Sequence, residues 1–244
     1  MKHVHPLEVK LTAALLNGLV DDIRREASSK LFKETLRRFS NAAKKRGKSL
    51  NDYIDALYRK YSRLLVIRLE LSYEMGYFRK SRDLKECLEE VKADWVRLQT
   101  DLHLGKPVEG MVGFACKLEY AHLTGFHYHL LLFFDGSSHR QDITLSRLIG
   151  EHWHLEITAG KGRYHNCNAR TYRTIGIGQI CWNETEKLNT LKGVVADYLV
   201  KVDYLLRLSP GCGRTFFRGN MPKNRWSRRG RPRSGSAINQ RNDI

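Results

Sequence analysis

Hydrophobic side chains change their spacing several times along the chain, and each change predicts an element. Leu11 to Val20 reads as an amphipathic helix: Glu8 precedes it, Asp21-Asp22 follows directly, and no small-residue cleavage pattern is present. Across residues 20–47, Ile23, Ala27, Leu31, Leu36 and Phe39 recur at helical intervals in a charged background, and Gly47-Lys48 predicts a break. A further helix is expected over 51–63. In Leu65-Val66-Ile67-Arg68-Leu69-Glu70-Leu71-Ser72 the period falls to two, which predicts a strand with one buried face. Residues 83–104 return to helical spacing through Leu84, Leu88, Val91, Trp95, Leu98 and Leu102, until Gly105 and Pro107 end the stripe.

Residues 111–120 and 126–134 are strand-like, and the short linker 121–125 predicts an antiparallel hairpin. Residues 142–182 are mixed, with a loop at Gly160-Lys161-Gly162 and a strand expected over 174–180. From Thr190, Leu191, Val194, Val195, Tyr198, Leu199, Val202, Leu205 and Leu206 repeat at three and four, predicting a helix stopped by Ser209-Pro210-Gly211. No internal repeat or sustained heptad is present. The expected fold is α+β, a central antiparallel sheet flanked by helices. It divides into a helical N-terminal segment (1–60), a central domain (61–210) and a basic, flexible tail (211–244).

Charge narrows the function. Lys and Arg number 43 against 26 Asp and Glu, a formal +17, and such a field attracts polyanions. Nucleic acid is the favoured partner, ahead of anionic lipid, and no apolar run approaches the roughly 20 residues that span a bilayer. The five cysteines are scattered without a CxxC pair, which supports neither a disulfide framework nor a zinc finger and fits a reducing cytoplasm.

The stretch Gly125-Phe126-His127-Tyr128-His129-Leu130-Leu131 places two imidazoles on one face of a strand. Buried without partners, they would cost on the order of a kcal/mol each. A hairpin centred on Leu123 sets Glu119 opposite His127, because 119 and 127 sum to twice 123, so the carboxylate joins the same face. Two imidazoles and a carboxylate suit a divalent ion with open positions, and a pair of satisfied core histidines is the plainer alternative. His152-Trp153-His154, between Glu151 and Glu156, is a competing pair. Glu70 is either an additional ligand or a solvated strand residue.

If a metal polarises a phosphodiester, the helix from Thr190 supplies the attacking group. At roughly 100° per residue, Lys201 lies about 60° around that helix from Tyr198, and a cation there would favour the phenolate. Tyr204 is the alternative nucleophile. The plain alternative is a core tyrosine with a solvent-facing lysine.

The order Glu119, His127-Tyr128-His129, Tyr198-x-x-Lys201 resembles the HUH endonucleases, the superfamily of rolling-circle replication initiators and relaxases. Residues from about 60 to 233 are similar to the C-terminal domain of YagK/YfjJ-type prophage proteins, related to inovirus replication proteins. The matching text is Leu65-Val66-Ile67-Arg68, Gly125-x-His127-x-His129, Gly176-Ile177-Gly178, Tyr198-Leu199-x-Lys201 and Arg229-Gly230-Arg231-Pro232-Arg233. The resemblance implies Mg²⁺ or Mn²⁺ held by His127 and His129, with Glu119 as third ligand. It further implies attack by Tyr198 on single-stranded DNA, beside the motif lysine Lys201, giving a 5′-phosphotyrosine and a free 3′-hydroxyl.

The tail from Gly211 carries nine Lys/Arg and one acid. Arg225, Arg228, Arg229, Arg231 and Arg233 are its DNA-binding candidates, either as a phosphate-binding tail or as an AT-hook-like insertion into a narrow minor groove. The expected function is DNA nicking and strand transfer that initiates replication of a phage, prophage or plasmid element. A DNA-binding regulator that keeps the fold without its chemistry is the alternative. No GxxxxGK[ST] loop is present, so unwinding and synthesis would fall to a host helicase and polymerase.

Overall fold

The computed structural model describes residues 6–78, 83–202 and 213–222. Three long alternating segments form its centre: β1 (Arg63–Tyr73), β2 (Met111–Ala121) and β3 (Gly125–Asp135). Three short strands complete an antiparallel six-stranded sheet: β4 (Gly162–Asn166), β5 (Gly178–Cys181) and β6 (Phe216–Arg218). The order is β4-β1-β3-β2-β6, with β5 also on β1. β4 and β5 share one edge of β1, β5 pairing with residues 63–66 and β4 with 69–73.

Helices cover both faces. Odd positions of β1 and even positions of β2 and β3 meet α3 (Leu84–His103), α4 (Asp142–His152) and the π turn Trp153–Ile157, and Ile67, Leu130, Trp95 and Trp153 all belong to this core. On the opposite face Leu64, Val66, Ala115, Leu131 and Phe133 pack under α2 (Lys30–Lys60), the π turn Leu191–Ala196 and α6 (Asp197–Val200). β1 therefore has one apolar face along its length and a second over its first half only. The rest of that second face is polar: Arg68, Glu70 and Ser72 from β1 with Lys117, Glu119, His127 and His129 from the hairpin.

The expected break at Gly47 does not occur. α2 runs unbroken through it, and the helix boundary falls instead at Ser29, whose hydroxyl oxygen accepts from Phe32 N at 3.1 Å between α1 (Pro6–Ser28) and α2. An interior glycine costs about 1 kcal/mol, whereas each of the buried Leu50, Tyr53, Ile54 and Leu57 contributes about 1.5–3 kcal/mol. Packing therefore outweighs the local signal. Ion pairing of Lys192 with Asp55 and a bond from Arg218 Nε to Ser49 Oγ (3.0 Å) fasten α2 to the π turn and to β6. The core thus draws on residues either side of positions 60 and 210.

The helix expected from Thr190 is also interrupted. α5 (Thr185–Thr190), the π turn and α6 follow one another, and Lys201 already has extended backbone, with φ −50° and ψ 150°. Its continuation from 203 lies outside the described residues. The strand expected over 174–180 contracts to β5, because Gly176 is pressed against the π turn, where a Cβ would lie 2.8 Å from Leu191 N. Along α1, Leu7, Leu11, Leu15, Leu16, Leu19 and Ile23 are exposed. Among the described residues no helix is long and apolar enough to cross a membrane.

Gly150 gives a direct test of the α4–β4 contact. A Cβ there would meet Tyr164 Cδ2 at 2.2 Å and Cγ at 2.4 Å, atoms at the base of the ring that cannot swing clear. Overpacking costs about 1–3 kcal/mol against about 1 kcal/mol that a helix gains from Gly→Ala, and contacts this far under 3.0 Å place the site towards the upper end of that range, so overpacking prevails. Gly150→Ala is expected to lower the urea midpoint; an unchanged or higher midpoint would show that Tyr164 yields freely.

Candidate metal site and nucleophile

The site begins with the hairpin register. Glu119 pairs with His127 and Lys117 with His129, as the hairpin centred on Leu123 requires, and Gly125 opens β3 with φ +75°. This left-handed region is open to glycine without steric cost and lets a three-residue turn reverse the chain. β1 lies on the other side of β3, with Glu70 opposite His129 and Ser72 opposite His127. Two rows of polar residues thus cross three strands on one face.

Their side chains converge. Glu119 Oε2 lies 3.2 Å from His129 Nε2 and 3.5 Å from His127 Nε2. One ligand atom from each of Glu119, His127 and His129 falls within 4.8 Å of the others, so the three could hold one metal ion. His127 Nδ1 is 3.2 Å from Gly125 O, which orients the ring and leaves Nε2 towards the carboxylate. His129 is 3% exposed, and its Nδ1 is buried without a hydrogen bond: Glu70 Oε1 is 3.3 Å away but poorly aligned. Two imidazole nitrogens and a carboxylate oxygen brought this close form a donor set that suits a divalent cation.

Electrostatics hold the carboxylates charged. Burial pushes the Glu119 carboxyl up, but hydrogen bonds from His127 and His129 outweigh it and leave the group well below the usual carboxylate range. The His129 imidazole close beside it, aided by Arg68, brings Glu70 down to about 2 against opposing burial. For His129, burial is the largest influence and lowers the pKa, yet Glu119 and Glu70 together raise it. A metal ion binding here would compete with the proton that Glu119 and Glu70 favour on His129.

Tyr198, from α6, packs its ring edge-on to His129 with centroids 4.9 Å apart. Arg68 and Lys201 lie over the same ring, at 4.8 Å and 4.9 Å from its centroid. Lys201 reaches it from the extended residue after α6, not from a neighbouring helical face. A cation does favour the phenolate here, but it is outweighed: burial first, then Glu119 and Glu70, raise the Tyr198 pKa, and Arg68, which lowers it, offsets only part of this.

Two residues of the site are not legible as such from the chain alone. Glu70, open there to either role, is half-buried and in contact with His129 and with Arg68, whose Nη2 is 3.1 Å away. Lys117 is fully buried opposite His129, with Nζ 3.4 Å from Thr215 Oγ1 on the segment leading into β6. Its only sequence signal is a charge inside an apolar alternation. The competing histidines belong elsewhere: His152 ends α4 and pairs with Asp101 at 2.8 Å, and His154 lies in a π turn with Nδ1 2.6 Å from Gly162 O. Helical placement separates them where a strand would have aligned them. Tyr204 and Arg225, Arg228, Arg229, Arg231 and Arg233 lie outside the described residues.

The family model described as the YagK/YfjJ C-terminal domain matches residues 39–203, which takes in β1 to β5, both histidines, Glu119 and Tyr198. No curated protein and no solved structure matches the chain.

Proposed function

The chain belongs to the YagK/YfjJ C-terminal domain family, and from that premise and the sheet-face geometry we propose a metal-dependent, tyrosine-type single-strand DNA endonuclease and strand transferase. In this reading it is an HUH enzyme, akin to inovirus replication proteins, that starts rolling-circle-type replication of a phage, prophage or plasmid element in the bacterial cytoplasm. The observation that carries it is the convergence of Glu119, His127 and His129 with the Tyr198 ring against His129.

Glu119, His127 and His129 would hold Mg²⁺ or Mn²⁺, and the bound ion supplies positive charge to a phosphodiester oxygen. Tyr198 Oη attacks phosphorus. The new O–P bond forms as the P–O3′ bond breaks, the phenolic proton leaves, and the departing oxygen gains a proton to become a 3′-hydroxyl. Arg68 and Lys201, both over the Tyr198 ring, bring cationic charge to the incoming phosphate. Incubation with labelled single-stranded origin DNA and Mn²⁺ should give a covalent protein–DNA adduct that survives denaturing electrophoresis. Tight duplex binding without adduct on any strand from the element would favour a non-catalytic DNA-binding regulator.

The basic tail has the role of an electrostatic anchor on duplex DNA. Deleting residues 221–244 is expected to weaken duplex binding and reduce the slope of log K against log salt, by about 0.9 for each phosphate the tail engages. Fluorescence anisotropy at several salt concentrations measures this, and an unchanged slope would assign the anchoring charge to the folded domain.

A further inference from the structure

A cleft next to the nucleophile has no part in the chemistry above. After β4 the chain makes a short turn at Cys167–Ala169 and returns to β5 through residues 170–177. That return lies directly on the π turn, Gly176 being close enough that a Cβ would touch Leu191 N and the Thr190 carbonyl carbon. Beside this contact a cleft of about 120 Å³ opens, lined by Arg68, Tyr172, Arg173, Ile177, Val194 and Val195 among others. One water needs roughly 10–15 Å³ on this measure, so the cleft has room for a ring system.

Its walls combine three kinds of group. Ile177, Val194 and Val195 are apolar, Tyr172 is an aromatic ring 38% exposed, and Arg68 and Arg173 are cationic. Arg68 links the cleft to the reaction centre, because the same guanidinium lies 4.8 Å from the Tyr198 ring centroid. Its Nη2 is engaged by Glu70, but its Nε is buried without a hydrogen-bond partner among the described residues. Residues 191–196 form a π turn, a departure from α geometry that recurs at functional sites.

We propose that this cleft takes one unstacked nucleobase of the single strand whose phosphate meets Tyr198, an assignment that rests on the nickase reading above. A base matches the walls on each count. Its faces stack on an aromatic and pack on aliphatic side chains, its ring nitrogens and carbonyls can accept from the exposed Arg173, and its own 5′ or 3′ phosphate is drawn towards arginine. A free phosphate would leave Ile177, Val194 and Val195 unused. The cleft then contributes to sequence choice at a nucleotide close to the cut, where metal and nucleophile alone read only the backbone.

The test titrates the full chain with each of the four deoxynucleoside 5′-monophosphates while methyl NMR signals are followed. Ile177, Val194 and Val195 methyls are expected to shift, with Leu15 and Leu19 on α1 unmoved, and the Ile177 and Val195 shifts should vanish in Val194→Trp, which fills the cleft from an exposed position. Absence of shifts at saturating nucleotide, their persistence in Val194→Trp, or equal shifts with inorganic phosphate would each overturn the assignment. In the adduct assay, an abasic site at one position beside the cleaved phosphate should raise KM about tenfold, as loss of one stacked base implies. Failure of the wild-type chain to form any adduct would count against the nickase reading alone, because the methyl titration decides the cleft without turnover.

Discussion

Tyr198→Phe is expected to reduce covalent adduct formation on single-stranded DNA by at least about 10³-fold, down to the detection floor. The change removes one oxygen and keeps the ring, so the edge contact with His129 and the positions of Arg68 and Lys201 are retained. Loss of adduct with unchanged binding of the same oligonucleotide and of Mn²⁺ would therefore isolate the nucleophile from the scaffold. Mass spectrometry of the adduct should place the DNA on the peptide containing residue 198. Adduct that survives Tyr198→Phe and disappears in Tyr204→Phe would move the nucleophile to Tyr204. The raised phenol pKa makes the metal requirement steep: in the metal-free chain burial and two carboxylates oppose the phenolate, so EDTA should abolish adduct even where DNA still binds.

Removing either histidine is expected to raise the Mn²⁺ Kd by at least about 10²-fold, about 2.7 kcal/mol. His127→Ala and His129→Ala, measured by calorimetry, should both show it, while His152→Ala on the opposite face should not. Equal Kd values in all three would exclude the hairpin site. The pH dependence has a definite sign. The His129 pKa is raised by Glu119 and Glu70 despite burial, so in the metal-free chain the charged imidazole adds stability that is present below its unfolded value, about 6.5, and is lost as pH rises through the higher folded value. A metal needs the neutral imidazole, so its affinity should fall as pH drops through the same range, by up to about tenfold per unit for one proton displaced. The Mn²⁺-induced rise in Tm should accordingly grow from pH 6 to pH 8; a shift that shrinks over that interval would mean that His129 is not a ligand.

Much of the site can be read from the chain because it is local. His127 and His129 share a face through strand alternation, and Glu119 joins them through a hairpin only three residues long at its turn, so one register fixes all three. Glu70 cannot be assigned in the same way. Its place depends on β1 pairing with β3 across more than fifty intervening residues, and no local rule sets the register that puts it opposite His129. Arg68 and Lys117 are hidden for the same reason, each an isolated charge in an apolar run until neighbouring strands give it partners. Tyr198 is placed through the apolar stripe of a helix, and Leu191, Val195 and Leu199 of that stripe stay buried although the helix changes to a π turn, exposes Val194 and ends at Val200.

The family match describes a domain and spans residues 39–203. Its start inside α2 agrees with the packing, where Leu50 to Leu57 are buried against the sheet and the first part of α2 is largely exposed.

By itself the amino-acid sequence determined the α+β class, the three long strands, the hairpin that brings Glu119 to His127 and His129, and the cationic balance of 43 to 26, because each follows from side-chain period, short-range pairing or composition. Only tertiary structure decided that α2 runs through Gly47, that Glu70 and Arg68 border the site, and that a ring-sized cleft opens beside Tyr198. Those features depend on which distant surfaces meet. Burial of several large side chains outweighs a single glycine's local cost of about 1 kcal/mol, and long-range strand register is set by the packing of whole faces.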